Sequence, residues 1–534
     1  STADQGKTYV SIFDAGVNRF VTNQLITHTQ HDMFCPGTAN LPNGDLLITG
    51  GSSTTRSTVY DHNYNTYVGT FSRARTMNTP RGYQTTVTLG DGSVFCLGGS
   101  WSGGVGGKNA ELWTQAAGWT PYPGIQAVRT VQRGAPDPQG PYRNDNHAWL
   151  FSASNGQVFH AGPGTEMHWL GLNGTGSVRN AGTRGWHGYA MNGNAVMYDV
   201  DKILTCGGAT SYSTGRPASK RSFKIDIANG QARATWAGPM QKARTFHNSV
   251  VLPNGEVVTV GGLNRSTIFN DNGAVKEAEI WSPRTNSWRI GAAMRNARTY
   301  HSVAILMRDG RVWVGGGGLC GNCGANHPNA EIYTPPYLYR PNSNQLAPRP
   351  VINNISNRLP RHGNTIRVKT NASVKEFVMM RLGSETHSVN VEQRRVTLNS
   401  TNRGGNNYDV RIPWNRSAAP PGEYFLFAIN WQGVPSVALS IRVGIEDVRP
   451  QVPNGDYFIR SPHTNQNLAI PSWTRPNPKD VQMVPAGNFA DHKWRIRLVS
   501  GNAYTIQNLR TFEYLEVPFA RTVNVSNVAS YSSG

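Results

Sequence analysis

No run of about eighteen apolar residues occurs in the 534-residue chain, so no membrane-spanning helix is expected. The first residues, Ser1 to Gly6, lack the apolar stretch of a signal peptide, and the chain reads as a mature, soluble product. Charge is sparse, at 15% of residues, which leaves little material for exposed helices. Lys and Arg outnumber Asp and Glu by 51 to 31, a formal charge of +20, yet the basic residues are scattered singly, as at Arg73, Arg75, Arg81 and Arg244. With no Lys/Arg run and no nucleic-acid-binding motif, a basic extracellular protein is expected and a nucleic-acid partner is not. Cysteine is scarce too: five residues, an odd count, with Cys320-Gly-Asn-Cys323 as the only close pair. A lone CxxC offers at most half a zinc site, so a short-loop disulfide between Cys320 and Cys323 fits an extracellular chain better. Cys96 and Cys206 each precede Gly-Gly in an apolar strand and read as small buried hydrophobes, which leaves Cys35 unexplained. No flavin or nicotinamide motif is present.

What the chain has in quantity is glycine, 58 residues, together with 14 tryptophans, a balance that suits short strands and tight turns. The fold class is therefore all-β. A turn glycine followed one strand later by a second glycine recurs at Gly44 and Gly50, Gly92 and Gly98, Gly156 and Gly162, Gly255 and Gly261, and Gly310 and Gly316, with Asp201 and Gly207 as a degenerate copy. Periods of about fifty residues with an apolar strand leading into Gly-Gly mark kelch-type propeller blades. Six blades can be read. Residues 7–27 alternate like two more strands, so a seventh blade is inferred, its inner strands lying before Ser1 or supplied by another segment. The stretch YRPNSNQLAPRP reads as a linker, and alternating runs such as TIRVKT, EFVMMRL and YFLFAIN predict an antiparallel immunoglobulin-like sandwich. Beyond it, DYFIRSPHTNQNLAIP and AYTIQNLRTFEYLEVP resemble two of the three repeats of a ricin-type β-trefoil. The expected domains are a seven-bladed kelch-type β-propeller over 1–340, a β-sandwich over 348–445, and a small β-trefoil-like tail over 450–534 with a possible part in carbohydrate binding.

Counting nine residues back from the turn glycines lands on Cys35, Tyr83, His147 and Phe246, and the paired strings ARTFH and ARTYH set Tyr300 opposite Phe246. Equivalent positions in successive blades ring one level of the central axis, so Cys35 and Tyr83 should converge there, with Tyr300 and His301 nearby. Phenolates mixed with imidazoles suit Cu(II). A single inner-strand tyrosine is usually core filler, and position alone leaves packing and metal binding both open.

The strings HDMFCPG (31–37), PRGYQ (80–84), GGSWSGG (98–104), YRNDNHAWLF (142–151), ARTFH (243–247), ARTYHSVAILMRDGRVWVGGGGLCGNC (297–323) and ETHSVNVEQRR (385–395) closely resemble the galactose oxidase family of copper radical oxidases. The resemblance covers residues 7–443. It implies one mononuclear copper held by Tyr83, Tyr300, His301 and His387, with His387 reaching in from the sandwich. It also implies a thioether between Cys35 and the Tyr83 ring, the site of a protein-derived radical, and Trp101 stacked over that unit. The implied reaction is oxidation of a primary alcohol to the aldehyde, with Tyr300 taking the hydroxyl proton and O2 leaving as H2O2. Arg143, Tyr142, Phe246, Trp101 and Tyr212 match the substrate surroundings, which points to the C6 hydroxyl of galactose or galactosides. Ser213 stands where the family has glutamine, and the family's N-terminal sugar-binding domain has no counterpart here. A same-family oxidase of aliphatic or aryl alcohols or aldehydes is the alternative, followed by a non-catalytic kelch binding module. His147 is given no ligand role and is expected to be structural. A secreted monomer is expected, and glycosylation-type triplets at Asn173, Asn264, Asn354, Asn371, Asn399, Asn415 and Asn524 are in keeping with it.

Overall fold

The computed structural model describes residues 4–62, 69–444, 455–461, 464–471, 479–500, 503–516 and 529–531, so Asn524 lies outside the described residues. Among them, no helix is long and apolar enough to cross a membrane.

Each repeat begins with a hairpin closed by its glycine. The Gly44, Gly92, Gly156, Gly255 and Gly310 amides donate to the carbonyl three residues earlier at 2.9–3.0 Å, and all five glycines have φ between 82° and 92°. Only glycine takes that conformation without steric cost, which is why the turn residue repeats in the sequence. The hairpins grow into five four-stranded antiparallel sheets and one three-stranded sheet. Their first strands, Gly37–Asn40, Thr85–Thr88, Trp149–Ser152, Asn194–Asp199, Thr245–Val251 and Ser302–Leu306, follow one another as neighbours. A seventh, two-stranded sheet pairs Thr8–Asp14 with Arg19–Ile26, and no other described strand joins it. Its Phe13 and Phe20 rings lie 5.6 and 6.5 Å from Trp313 of the sixth blade.

In three blades a buried arginine ties the segment that enters the blade to that blade's own second and third strands. Arg81, Arg244 and Arg298 are fully buried and donate through Nη1 to the carbonyls of Gly98, Gly261 and Gly316 at 2.9, 3.0 and 3.0 Å. Their Nη2 groups meet Glu111, Glu279 and Glu331 at 3.0, 2.5 and 3.3 Å. A buried guanidinium needs both a counter-charge and carbonyl acceptors, and the Gly-Gly corners supply the carbonyls because nothing projects from them.

The sandwich is a seven-stranded sheet folded on itself. Arg395–Asn402 turns the corner: Arg395 to Leu398 pair with Glu376–Arg381, and Asn399 to Asn402 pair with Asn407–Arg411. Val378, Met380, Phe427 and Ile429 from the sandwich share one apolar core with Val196, Leu204, Val251 and Trp281 from the propeller. Propeller and sandwich thus form one compact unit, Ser1–Ile445, with Glu446–Gly534 as a second.

The loop between Glu376–Arg381 and Arg395–Asn402 bonds to the inner strands of four blades. Glu392 Oε1 accepts the Thr88 amide at 2.6 Å, Gln393 Oε1 the Val251 amide at 2.9 Å, and Glu385 Oε2 the Ala304 amide at 2.5 Å. Asn194 Nδ2 donates to the Ser388 carbonyl at 2.7 Å. Side-chain acceptors here satisfy strand N–H groups that would otherwise be buried without partners.

The second unit is also built of strands. Gly455–Phe458, Lys493–Ser500, Ala503–Asn508, Tyr514–Glu516, Ala529–Tyr531 and Lys479–Asp480 make a six-stranded sheet, and Gln466–Ala469 pairs with Gln482–Pro485. Buried Trp494 donates its indole N–H to the Leu468 carbonyl at 2.8 Å.

Candidate active centre at the propeller axis

The residues nine before each turn share one unusual backbone state. Cys35, Tyr83, His147, Asn192, Phe246 and His301 have φ of 60°, 68°, 54°, 54°, 58° and 69°. They are joined across blades: the Tyr83 amide donates to the Cys35 carbonyl at 3.1 Å, His147 to Tyr83 at 3.0 Å, and Phe246 to Asn192 at 2.7 Å. Left-handed geometry is uncommon for residues bearing a Cβ, and here it recurs at the position that rings the axis.

Strand register sets His301, not Tyr300, opposite Phe246: His247 pairs with Gly261, and Ser302 with Gly316. The likeness of ARTFH to ARTYH is therefore out of step by one. The arginine locks show why, since Arg81 and Arg244 stand 17 residues before the carbonyls they bind and Arg298 stands 18. The extra residue lets the sixth blade bring two side chains, Tyr300 and His301, to the axis instead of one.

The predicted ligand set meets here. The Tyr83 and Tyr300 hydroxyls share a short hydrogen bond. The Cys35 thiol is hydrogen-bonded to Tyr83 and its sulfur lies 4.0 Å from His301 Nε2. Ligand atoms of Cys35, His301 and His387 fall within 4.8 Å of one another. His387 packs 4.4 Å from the Tyr83 ring, and Trp101 stacks on the other side of the site at 4.6 Å with an interplanar angle of 9°.

Both histidines are held through Nδ1. His301 Nδ1–H donates to the Gly318 carbonyl at 2.6 Å, and His387 Nδ1 bonds Thr386 Oγ1 at 2.7 Å, which turns both Nε2 atoms inward. His387 Nε2 is buried and has no hydrogen-bond partner. Burial lowers His301 to a pKa of about 4 and holds His387 far below the usual range, so both keep a free lone pair. Burial also pushes the Tyr83 and Tyr300 phenols up, a penalty that a central dication would reverse. An orphaned imidazole nitrogen beside two phenols is a donor set that fits a transition-metal ion.

Around it lie the predicted substrate residues. Arg143 is buried, its guanidinium 4.1 Å over the Tyr212 ring and 4.6 Å over Tyr142, with Nε and Nη1 unpartnered. Tyr142 is 37% exposed. Phe246 meets Tyr300 edge-on at 5.4 Å. Tyr212 is wholly buried, its hydroxyl bonded to Tyr300 at 3.0 Å and to His147 Nε2 at 2.8 Å. His147 also stacks on His387 at 4.9 Å, so it backs the centre. The Ser213 hydroxyl donates to Gln139 Oε1 at 3.1 Å.

Several neighbours had no signal in the repeat pattern. Phe269 packs 5.3 Å from Tyr300, Phe34 packs 5.6 Å from His301, and Asp137 accepts the Tyr212 amide at 2.7 Å. Elsewhere, Cys320 and Cys323 form a disulfide, and Cys96 and Cys206 are buried free thiols. The Asn415 side-chain amide donates to the Ser154 carbonyl at 2.8 Å.

The galactose oxidase-like early set domain matches residues 349–443, and the glyoxal oxidase N-terminus matches residues 176–329. A galactose oxidase of Gibberella zeae is 41% identical over 448 residues, 82% of this chain, and the chain spans 64% of that relative's length. An aldehyde oxidase of Vitis pseudoreticulata is 25% identical over 468 residues, covering 80% of this chain and 84% of the relative. A solved fungal alcohol oxidase of the AA5 family, in complex with copper, superposes with a TM-score of 0.78 at 36% identity, covering 83% of this chain and 92% of its own. With sequence and fold matched across propeller and sandwich together, the chain belongs to the galactose oxidase family.

Proposed function

We propose that the protein is a secreted copper radical oxidase that converts a primary alcohol, the C6 hydroxyl of galactose or a galactoside, to the aldehyde while O2 is reduced to H2O2. The observation that carries this reading is the convergence of two phenols, two inward Nε2 atoms and a thiol at one buried point. Tyr83, Tyr300, His301 and His387 would hold one copper ion, and the copper-bound fungal relative supports that assignment. Bound there, copper would supply Lewis-acid polarisation of the alcohol oxygen and one-electron redox capacity.

The chain's own residues do the rest. Tyr300, as phenolate, accepts the alcohol's hydroxyl proton, and its bond to Tyr212 steadies the oxygen for that role. The Tyr83 ring, bonded through Cys35 sulfur, holds the unpaired electron and takes a hydrogen atom from the carbinol carbon. Forming that thioether joins sulfur to ring carbon and releases two hydrogens to O2. Trp101, stacked on Tyr83, keeps water from the radical. The free Arg143 nitrogens donate to substrate hydroxyls as a planar fork. We place the boundary of the catalytic part near residue 445 and assign the tail a carbohydrate-binding role.

Copper loading in air followed by intact mass tests the reading: the mass falls by two hydrogens, and an unchanged mass overturns it in favour of a binding module. A second substrate reading, aliphatic or aryl alcohols or aldehydes, is favoured by Ser213 contacting Gln139 and by the aldehyde oxidase relative. Initial rates on galactose, raffinose, benzyl alcohol, butanol and glyoxal separate the two, and a galactose rate far below that on benzyl alcohol removes the sugar.

A further inference from the structure

His387 stands at the tip of a two-residue turn. Thr386 and Val389 exchange both backbone hydrogen bonds, at 3.1 and 2.9 Å, and between them His387 and Ser388 have φ of 51° and 66°. Two consecutive left-handed residues belong to type I′ hairpin turns, where Asn-Gly and Asp-Gly prevail because other side chains are strained. Neither His387 nor Ser388 relieves that strain, so the turn persists only because its surroundings over-determine it.

Three side chains do so. Asn194 Nδ2 holds the Ser388 carbonyl at 2.7 Å, Asn390 Oδ1 accepts the Ser384 amide at 3.1 Å, and Glu385 Oε2 accepts the Ala304 amide at 2.5 Å. The last contact ties the turn to Ser302–Leu306, the strand that starts directly after Tyr300 and His301. One carboxyl therefore links the turn that carries His387 to the strand that follows Tyr300 and His301. Its second oxygen, Oε1, is buried with no partner. Leaving a carboxyl oxygen dry costs stability, so general support of the fold is a poor account of this residue.

We infer that Glu385 is a positioning residue for His387: its carboxyl oxygen, seated on the Ala304 amide, fixes the imidazole relative to Tyr300 and His301. The inference rests on the copper reading above. In the copper-loaded enzyme, Glu385→Ala shifts the Cu(II) hyperfine pattern in electron paramagnetic resonance and lowers kcat about tenfold or more, the usual effect of losing a partner behind a metal ligand. KM stays within about twofold, since no substrate contact is touched. Glu385→Gln, whose amide oxygen accepts the same N–H, restores both signals. A wild-type spectrum and kcat in Glu385→Ala, or a Glu385→Gln variant as impaired as Glu385→Ala, overturns the inference.

Hydrogen exchange on the copper-free protein separates this inference from the copper reading. Faster exchange at the Ala304 and Val389 amides in Glu385→Ala supports the clamp, and unchanged protection overturns it. Failure of the wild type to take up copper would instead sink the oxidase. Should Glu385→Ala not fold, Glu385→Gln carries the comparison, with wild-type exchange and spectrum expected.

Discussion

The arginine locks at the blade entrances and the centre on the axis are both buried polar clusters, built on opposite terms. In the locks, opposite charges meet: Arg81 with Glu111 at 3.0 Å and Arg244 with Glu279 at 2.5 Å. In the centre, the phenols and imidazoles are held neutral by burial, and His387 Nε2 and two nitrogens of the Arg143 guanidinium have no partner. The locks pair their charges as the chain folds, although the Nε of Arg81, Arg244 and Arg298 is left without a hydrogen-bond partner. The centre is complete only with something the chain does not supply, and that difference separates a polar cluster that stabilises from one that reacts.

The largest expected effect breaks the centre and spares the locks. Tyr300→Phe removes the proposed proton acceptor, and kcat should fall about 10²–10⁴-fold while thermal unfolding by circular dichroism moves little. The reverse experiment is Arg244→Met, which leaves Glu279 buried without its counter-charge. It should cost about 3–5 kcal/mol in urea unfolding, with kcat per folded molecule unchanged. A loss of stability in the first variant as large as in the second would erase the distinction.

A pH titration sharpens the same contrast. His301 has a pKa of about 4 in the folded protein against 6.5 unfolded, and His187 and His247 are lowered in the same sense by burial. Between those values the unfolded chain binds more protons, so stability of the metal-free protein falls as pH drops from 6.5 towards about 4. Melting temperatures across that range check the direction, and copper should flatten the His301 share. The smallest effect is Tyr212→Phe. It removes the hydroxyl that bonds both Tyr300 and His147, and the bond to Tyr300, worth about 1 kcal/mol, predicts a kcat decrease of about fivefold with KM unchanged.

Much of the propeller is legible because its turns are local. A glycine at φ near 85° advertises itself, and the strand that leads into Gly-Gly follows at a fixed distance. The locks were not read, although Arg81, Arg244 and Arg298 each precede a Gly-Gly, because their glutamate partners lie 30 to 35 residues away on other strands. The offset of the sixth blade escaped for a related reason. ARTFH and ARTYH look aligned until the pairing of His247 with Gly261 and Ser302 with Gly316 shows one residue more in the second.

The sequence by itself determined the all-β class, the blade period and the ring position that Cys35, Tyr83, His147 and Phe246 occupy, since hairpin geometry is dictated by residues a few positions apart. Only the tertiary structure decided how His387 is aimed, why Arg143 keeps free donors over Tyr212, and that Glu385 reaches Ala304. Those contacts join residues such as Cys35 and His301, 266 positions apart. Nothing in the local chain records them, because they exist only once the blades have closed and the sandwich loop has entered the axis.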